Sequence, residues 1–269
     1  NILSKSFDFI ISKSTLFSHR IESAIATGSW IGEKSGVTQN MEKNNYMAVL
    51  SQLQRVTSLL PGDQENFKAR TLHPTHYGRF CPTETPEGIE IGLRKNLAIM
   101  TKISTDIIFD EKAVIRKFKE SGLQDEKGKD VFFNGRFIGF VNDPMIFANH
   151  IKRLRRSWEL PGEMSIMHDE ILDLIIISTE AGRVLRPLIV IENNASRLKD
   201  DHIVELGEDK INWKDLLKEG IIEYIDAAEE DNALVAKNQR EITSEHTHLE
   251  IHPIDLFGLI TSLVPFGNH

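Results

Sequence analysis

Residues 70–100 read RTLHPTHYGRFCPTETPEGIEIGLRKNLAIM, and their three prolines and three glycines constrain the fold more than any other stretch of the chain. Proline removes a backbone donor and keeps the preceding residue out of helical geometry, so neither a long helix nor a central strand runs through such a segment. Ordered irregular backbone is the expectation. Pro82, Pro86 and Gly88 fix the chain locally, while Arg55, Arg70 and Arg79 supply planar forks suited to phosphate. A rigid loop carrying charges in set directions is a place where something is positioned.

The flanks read as conventional elements. Leu3, Phe7, Ile10, Phe17, Ile21 and Ala24 recur at three- and four-residue spacings, broken at Ser14, and predict amphipathic helix up to Gly28. Tyr46, Val49, Leu53 and Val56 repeat the stripe and predict a helix that stops before Pro61-Gly62, with LLPGDQENFKA an exposed loop. The residues after Asn96 alternate as a strand, and VFFNGRFIGFV places Asn134-Gly135 between apolar runs, a strong hairpin signal. Phe147, Ile151, Leu154 and Trp158 share one face of a helix that ends before Pro161-Gly162. LDLIIIS and VLRPLIVIE flank TEAGR as a second predicted hairpin, and the polar stretch 193–210 predicts a surface loop. Trp213, Leu216, Leu217 and Gly220 give a short helix with a stop, and IIEYIDAAEEDNALVA a strand, an acidic turn and another short element. HTHLEIH alternates as a half-buried strand. The fold class is α+β: a helical start, an irregular Pro/Gly-rich centre and small mixed α/β modules.

At 269 residues the chain is long enough for one to three domains. Hydrophobic residues make up 40% and no apolar run approaches the roughly 20 residues of a membrane span, so the chain reads as globular. It opens at Asn1 without a signal-like segment and stops at PFGNH, which reads as a piece of a longer protein. A single cysteine excludes a disulfide framework and points to a reducing compartment, the cytoplasm by default. Net charge is −8, but between Arg55 and Lys102 seven basic residues face five acidic ones, and Glu219 to Glu230 holds five acidic and no basic residues. A basic central face and an acidic far end are therefore expected.

Several motifs are weaker than they look. GSWIGEKSG has three residues between Gly28 and Gly32 and Glu33 where a P-loop needs lysine, so it reads as a flexible loop. His246, His248 and His252 could meet a metal from one strand face, against a simple polar row. Cys81 lies near His73 and His76 as a conceivable nucleophile pair, against a small buried thiol. KRLRR at 152–156 reads as the solvated face of its helix. Glu84 and Glu87 form an acid/base pair only on a spacing too common to carry the claim.

HPTHYGRFCPTETPEGIEIGL resembles the fork region of the second-largest (β or B) subunits of multisubunit DNA-directed RNA polymerases. GVTQNMEKNNYMAVLSQLQRV resembles the preceding fork helix, TEAGRVLRPLIVIE the external region, GIIEYIDAAEEDNALVA the next module, and THLEIHPIDLFGLITSLVPFGNH the entry to the hybrid-binding domain. IEYIDAAEE and THLEIHP resemble archaeal and eukaryotic-type subunits more than bacterial ones, so an archaeal B subunit, or the N-terminal member B″ of a split one, is the expectation. The resemblance implies the end of a protrusion-like helical domain at 1–27, the fork at 28–101 and external module 1 at 102–210. External module 2 then spans 211–245, and the hybrid-binding domain starts at 246–269.

It also implies a role in template-directed RNA synthesis as one subunit of a nucleotidyltransferase. In that family the chemistry follows the two-metal pattern, with magnesium held by the largest subunit; no NADFDGD-like run occurs here. This chain would then hold no catalytic residue, metal or cofactor, and Glu87 and Arg55 would position the RNA 3′ end. The nucleic-acid-facing set carried over by the resemblance is Gln39, Glu42, Asn45, Arg55, Thr57, Lys68, Arg70, His73, Arg79 and Glu87. Gln39, Glu42, Asn45, Arg55 and Thr57 match positions along the RNA path that form the rifamycin pocket in bacterial relatives; Glu42 and Gln52 depart from the common bacterial residues, which argues against inhibitor binding. LLPGDQENFKA would meet downstream DNA where the strands separate, as a steric guide more than a phosphate grip. Implied partners are the largest subunit, the rest of B, DNA template, nascent RNA, nucleoside triphosphates and transcription factors, with no membrane. Two alternatives stand beside this: a transcription-factor docking module using an acidic surface from Asp226 to Asp231, and a metal hydrolase built on His246, His248 and His252.

Overall fold

The structure, a computed structural model, describes residues 15–30 and 36–266. It divides into two compact units, Asn1–Leu53 and Gln54–His269. In the first, helix α1 (Thr15–Thr27) stops where predicted: Gly28 takes φ 72° and donates to the Ala24 carbonyl at 2.9 Å. Thr38 Oγ1 donates to the Ile25 carbonyl at 2.6 Å, covering an acceptor the helix end leaves open. Leu3, Phe7, Ile10 and Ser14, with loop residues 31–35, lie outside the described residues. Helix α2 (Tyr46–Leu53) starts at Asn45, whose Oδ1 accepts from the Ala48 amide at 2.8 Å. It is shorter than predicted, because Val56 belongs to strand β1 of the second unit and pairs there with Lys95.

The second unit opens with β1 (Arg55–Thr57) antiparallel to β2 (Arg94–Asn96). Between them run the short helix α3 (Phe67–Arg70), two 3-10 turns at Pro74–His76 and Gly88–Glu90, and otherwise irregular backbone, as the proline and glycine content requires. The strand predicted after Asn96 is broken: Thr101 donates to the Ala98 carbonyl at 3.1 Å in a turn, and extended pairing resumes only in β3 (Lys102–Ile103).

A four-stranded sheet follows, made of β4 (Lys129–Phe133), β5 (Arg136–Val141), β6 (Ser165–Asp169) and β7 (Leu174–Ser178) in the order β5-β4-β7-β6. Its first hairpin turns at Asn134 and Gly135, both at positive φ (48° and 74°), as predicted. Helices α4 (Glu111–Glu120) and α5 (Pro144–Arg156), capped by Asp110 and Asp143, contribute Phe118, Phe147 and Ile151 to a core shared with Val131, Phe133 and Ile177. Each such fully buried side chain contributes about 1.5–3 kcal/mol. Helix α5 ends at Arg156, so Trp158 is not on its inward face. It sits at φ 60°, half-exposed, and donates its indole N–H to the Leu217 carbonyl at 2.9 Å.

The predicted second hairpin does not form. Both sides of β7 are taken, by β4 and β6, and TEAGR carries the chain into a different sheet. There β8 (Val184–Glu192), buried along seven successive residues, is the central strand. It pairs with β3, with β9 (Ala195–Ser196), with β10 (Ile222–Ile225) and with β12 (His248–Leu249), which lies parallel to β11 (Val235–Ala236). This sheet thus runs across the boundaries expected at 210 and 245. The stretch 193–210 is not a plain loop either, since it forms β9 and helix α6 (Asp200–Gly207), whose Leu206 packs on a core of Ile189, Leu216, Ile222 and Leu249. Helix α7 (Trp213–Lys218) is capped by Asn212 and ends before Gly220 at φ 64°, as predicted. Among the described residues no helix is long and apolar enough to cross a membrane.

Candidate nucleic-acid interface

The ETPEG turn is fastened at both ends. Arg55 on β1 lies opposite Asn96 on β2, and Asn96 Nδ2 donates to Glu84 Oε1 at 2.5 Å. Thr85 Oγ1 donates to the Arg94 carbonyl at 2.9 Å and accepts from the Gly92 amide at 2.8 Å, closing the loop. Between these anchors Glu87 stands exposed, its side chain making no capping bond to the turn that follows. Gly88, at φ 80°, faces open space.

Arg70 is the clamp beneath this loop. Its Nη1 donates to the Ile89 and Ile91 carbonyls at 2.7 and 2.9 Å, and its Nη2 to Gly62 and Gln64 at 2.8 and 3.2 Å. One guanidinium thus joins the 62–66 loop to the 88–91 turn across a groove of about 370 Å³. Gly92 is required beside it, since at φ 72° a side chain would run into the Arg70 carbonyl.

The predicted basic face is largely consumed within the protein. Arg70 gives its guanidinium to four carbonyls, so what the structure shows of it is a hold on the loop. Arg79, 2% exposed, donates to the carbonyls of Thr75, Val184 and Ile225 and pairs with Glu230 at 2.5 Å. Burial lowers its basicity and the Glu230 charge opposes that. Arg94 pairs with Glu90 at 2.5 Å, Lys95 donates to the carbonyls of Ala69 and Gly92, and Lys102 pairs with Glu163 at 2.5 Å. Lys68 is exposed on α3 with no ion pair among the described residues, and Thr57 and His73 are exposed as well. The His73 ring, however, already meets Thr75 Oγ1 at 2.8 Å.

In the first unit Gln39 is exposed and donates to the Gly36 carbonyl at 3.0 Å. Gln52 holds the segment before α2, accepting from the Glu42 amide at 2.7 Å and donating to the Asn40 carbonyl at 2.9 Å. Glu42 is half-buried, and exposed Asn45 has its side-chain oxygen engaged as the α2 cap.

The other motifs resolve structurally. KRLRR is not a solvated face: Arg155 follows Ile151 by one turn and is buried, donating to Glu229 Oε2 at 2.5 Å, Glu223 Oε2 at 2.8 Å and the Met164 carbonyl at 2.6 Å. Arg156 adds Glu223 Oε1 at 2.6 Å. The acidic run is correspondingly no open surface, since Glu223, Asp226 and Glu229 are buried and Glu230 serves Arg79 and Arg186. That removes most of the acidic patch on which the docking alternative rested. His248 is buried against Glu223 Oε1 at 2.7 Å, His246 accepts from the Thr243 amide and His252 caps the turn at 253–256. Among the described residues no three His, Cys, Asp or Glu side chains converge as a metal site. Cys81 is buried beside Thr83 and Thr261. Burial raises its thiol pKa, but hydrogen bonds from both threonines and from the Gly258 and Thr83 backbone outweigh this and bring it below the ordinary value. Sequence reasoning missed Glu223, Glu230 and Arg186. For Glu223 and Arg186 the signal was present, because a charge inside an apolar run, as in IIEYI or VLRPLIVIE, must be paired when the run is buried; Glu230, in an acidic stretch, carried no such mark.

Family profiles of RNA polymerase Rpb2 match in succession: domain 3 over residues 39–103, domain 4 over 131–192 and domain 5 over 213–253. The DNA-directed RNA polymerase subunit Rpo2 of Sulfolobus acidocaldarius is 38% identical over 96% of this chain. The RNA polymerase III subunit RPC2 of Schizosaccharomyces pombe is 33% identical over 91%, and the RNA polymerase II subunit RPB2 of Encephalitozoon cuniculi 32% over 96%. The chain spans only 24%, 22% and 24% of the length of these relatives. With three consecutive domains in order and identity sustained across nearly its whole length, the chain belongs to the RNA polymerase Rpb2 family.

Proposed function

We propose that this chain is the fork-bearing portion of a DNA-directed RNA polymerase second subunit, and that its 82–92 loop positions the RNA 3′ end during template-directed nucleotide addition. The observation that carries the reading is the loop itself. It is held by Asn96, Thr85 and Arg70 and presents Glu87 to the outside, within the stretch matched by Rpb2 domain 3. Phosphoryl transfer needs an attacking hydroxyl held in line, and rigid placement of that hydroxyl is a large part of what a protein can supply. Glu87 and Arg55 serve this alignment, with Gln39, Asn45, Thr57, Lys68 and His73 as further contacts to RNA or DNA. Arg70 and Arg79 act beneath the surface.

Glu84 accepts from Asn96 Nδ2 at 2.5 Å, an anchor of the loop. In this reading the metal ions belong to the largest subunit, and this chain contributes no step through them. Partners are the remaining polymerase subunits, the nucleic acids and nucleoside triphosphates. The test is extension from preformed RNA–DNA scaffolds by the full enzyme carrying Glu87→Ala or Arg55→Ala. Extension should slow more than scaffold binding weakens; unchanged extension in both variants sinks the proposal.

A further inference from the structure

Arg79, Arg186 and Glu230 come from the stretches matched by Rpb2 domains 3, 4 and 5 respectively, and all three meet at the Glu230 carboxylate. Arg79 Nη1 lies 2.5 Å from Glu230 Oε2, while Arg186 donates through Nε to Oε2 at 3.1 Å and through Nη2 to Oε1. Arg186 spends its Nη1 on Glu250 at 2.9 Å. Both side chains are almost wholly buried, at 3% and 5% exposure, whereas that of Glu230 keeps 22%. Arg79 also grips the Val184 and Ile225 carbonyls at 3.1 Å each, so the backbone of 78–81 is tied to β8 and β10. Gly78 lies directly on Arg186: at φ 71°, a side chain there would meet Arg186 Cδ at 2.6 Å. Thr101 Oγ1 fastens the same backbone through the Gly78 and Arg79 carbonyls at 3.2 and 2.9 Å.

We infer that Glu230 is a positioning residue for the 82–92 loop, acting from another domain through Arg79 and Arg186. The inference rests on the proposed role of that loop. Without the Glu230 charge, two guanidinium groups repel each other in a largely buried space where screening is weak, and Glu250 offsets only that of Arg186. Relief comes by moving the segment that carries Arg79. That segment leads directly through Cys81 and Pro82 into the turn bearing Glu87, so the displacement reaches the residue placed at the RNA end.

The test uses the assembled polymerase with Glu230→Gln, which keeps size and most hydrogen bonds, beside Glu87→Ala and the double variant. Single-nucleotide extension is followed on preformed scaffolds over a range of nucleoside triphosphate, and rates are taken per extension-competent complex. Glu230→Gln should lower the maximal rate roughly ten- to a hundredfold, leave scaffold affinity unchanged, and combine less than additively with Glu87→Ala. A Glu230→Gln enzyme that is only less heat-stable, with a wild-type rate per competent complex, overturns the inference. So does full additivity. If Glu87→Ala slows extension and Glu230→Gln does not, the loop's role stands and the inference fails; if Glu87→Ala has no effect, the inference fails whatever Arg55→Ala shows, and the proposed function falls with it only if Arg55→Ala is also without effect.

Discussion

Replacing Arg155 by Met takes one cation out of a buried cluster and leaves its two carboxylates behind. Glu223 keeps Arg156 at 2.6 Å and His248 at 2.7 Å, so it stays compensated. Glu229, 1% exposed, keeps only Lys152 at 3.7 Å and hydrogen bonds such as that from the Ile166 amide at 3.3 Å. Removing one partner of a buried pair costs about 3–5 kcal/mol, a large part of a total stability of about 5–15 kcal/mol. At roughly 2–4 °C per kcal/mol for a unit of this size, the thermal midpoint falls by about 6–20 °C. Urea unfolding followed by Trp158 and Trp213 fluorescence measures this, and Arg155→Met/Glu229→Gln should recover about 1 kcal/mol or more by removing the uncompensated charge. The pH dependence supplies an independent check. Burial opposes the charge of Glu223, and Arg155, Arg156 and His248 outweigh it and hold its carboxyl well below the usual range. A depressed folded pKa gives stability that is present above the unfolded value, near about 4.3, and lost as pH falls through the folded one. Without Arg155 the depression shrinks, so acid unfolding should begin at higher pH in the variant. An Arg155→Met chain within about 0.5 kcal/mol of wild type, below even the usual worth of one hydrogen bond, refutes the reasoning.

Two glycines at positive φ separate strain from collision. Gly135→Ala meets open space and should cost about 1 kcal/mol in unfolding free energy. Gly78→Ala adds the clash with Arg186 and should cost about 2–3 kcal/mol; equal costs would show that Arg186 gives way freely. Arg70→Lys replaces a fork that reaches four carbonyls by one ammonium, so hydrogen exchange at 62–66 and 88–91 should quicken while the global midpoint moves by less than about 1 kcal/mol. Protection unchanged at both loops would show that Arg70 does not join them. In the assembled polymerase, Lys68→Ala should reduce the slope of log affinity against log salt by about 1, and Arg79→Lys should leave it unaltered. The reverse pattern would put Arg79, not Lys68, on the nucleic acid.

What could be read from the sequence was whatever nearby residues decide. The Asn134-Gly135 hairpin, the α7 stop at Gly220 and the irregular 70–93 backbone depend on residue types that permit or forbid particular dihedrals, and they formed as predicted. The hairpin across TEAGR failed because alternation says which face of a strand is apolar, not which sheet it joins. With β7 flanked on both sides, β8 had to find β10 and β12, more than 30 and 50 residues onward in the chain. Arg155 was misplaced because a positive run was taken together as one face, although Ile151 and Arg155 are one turn apart and must point the same way. At the candidate site, the rigidity of the ETPEG loop followed from Pro86 and Gly88, but its anchors did not. Asn96 reaches Glu84 only once β1 and β2 pair.

The internal use of arginine bears on how this chain can handle nucleic acid. A protein that grips phosphates needs exposed, unpaired cations, and its affinity then falls steeply with salt. Here the guanidinium groups of Arg70, Arg79, Arg155 and Arg186 bind the chain's own carbonyls and carboxylates, and the net charge is −8. These four guanidinium groups accordingly add little attraction for phosphate. Its planar forks instead fix loop to loop and sheet to sheet, where bidentate geometry matters more than charge. Under the proposed function, an interface built this way suits placement better than retention: it would hold Glu87 still while adding little affinity to be broken as the RNA advances by one nucleotide.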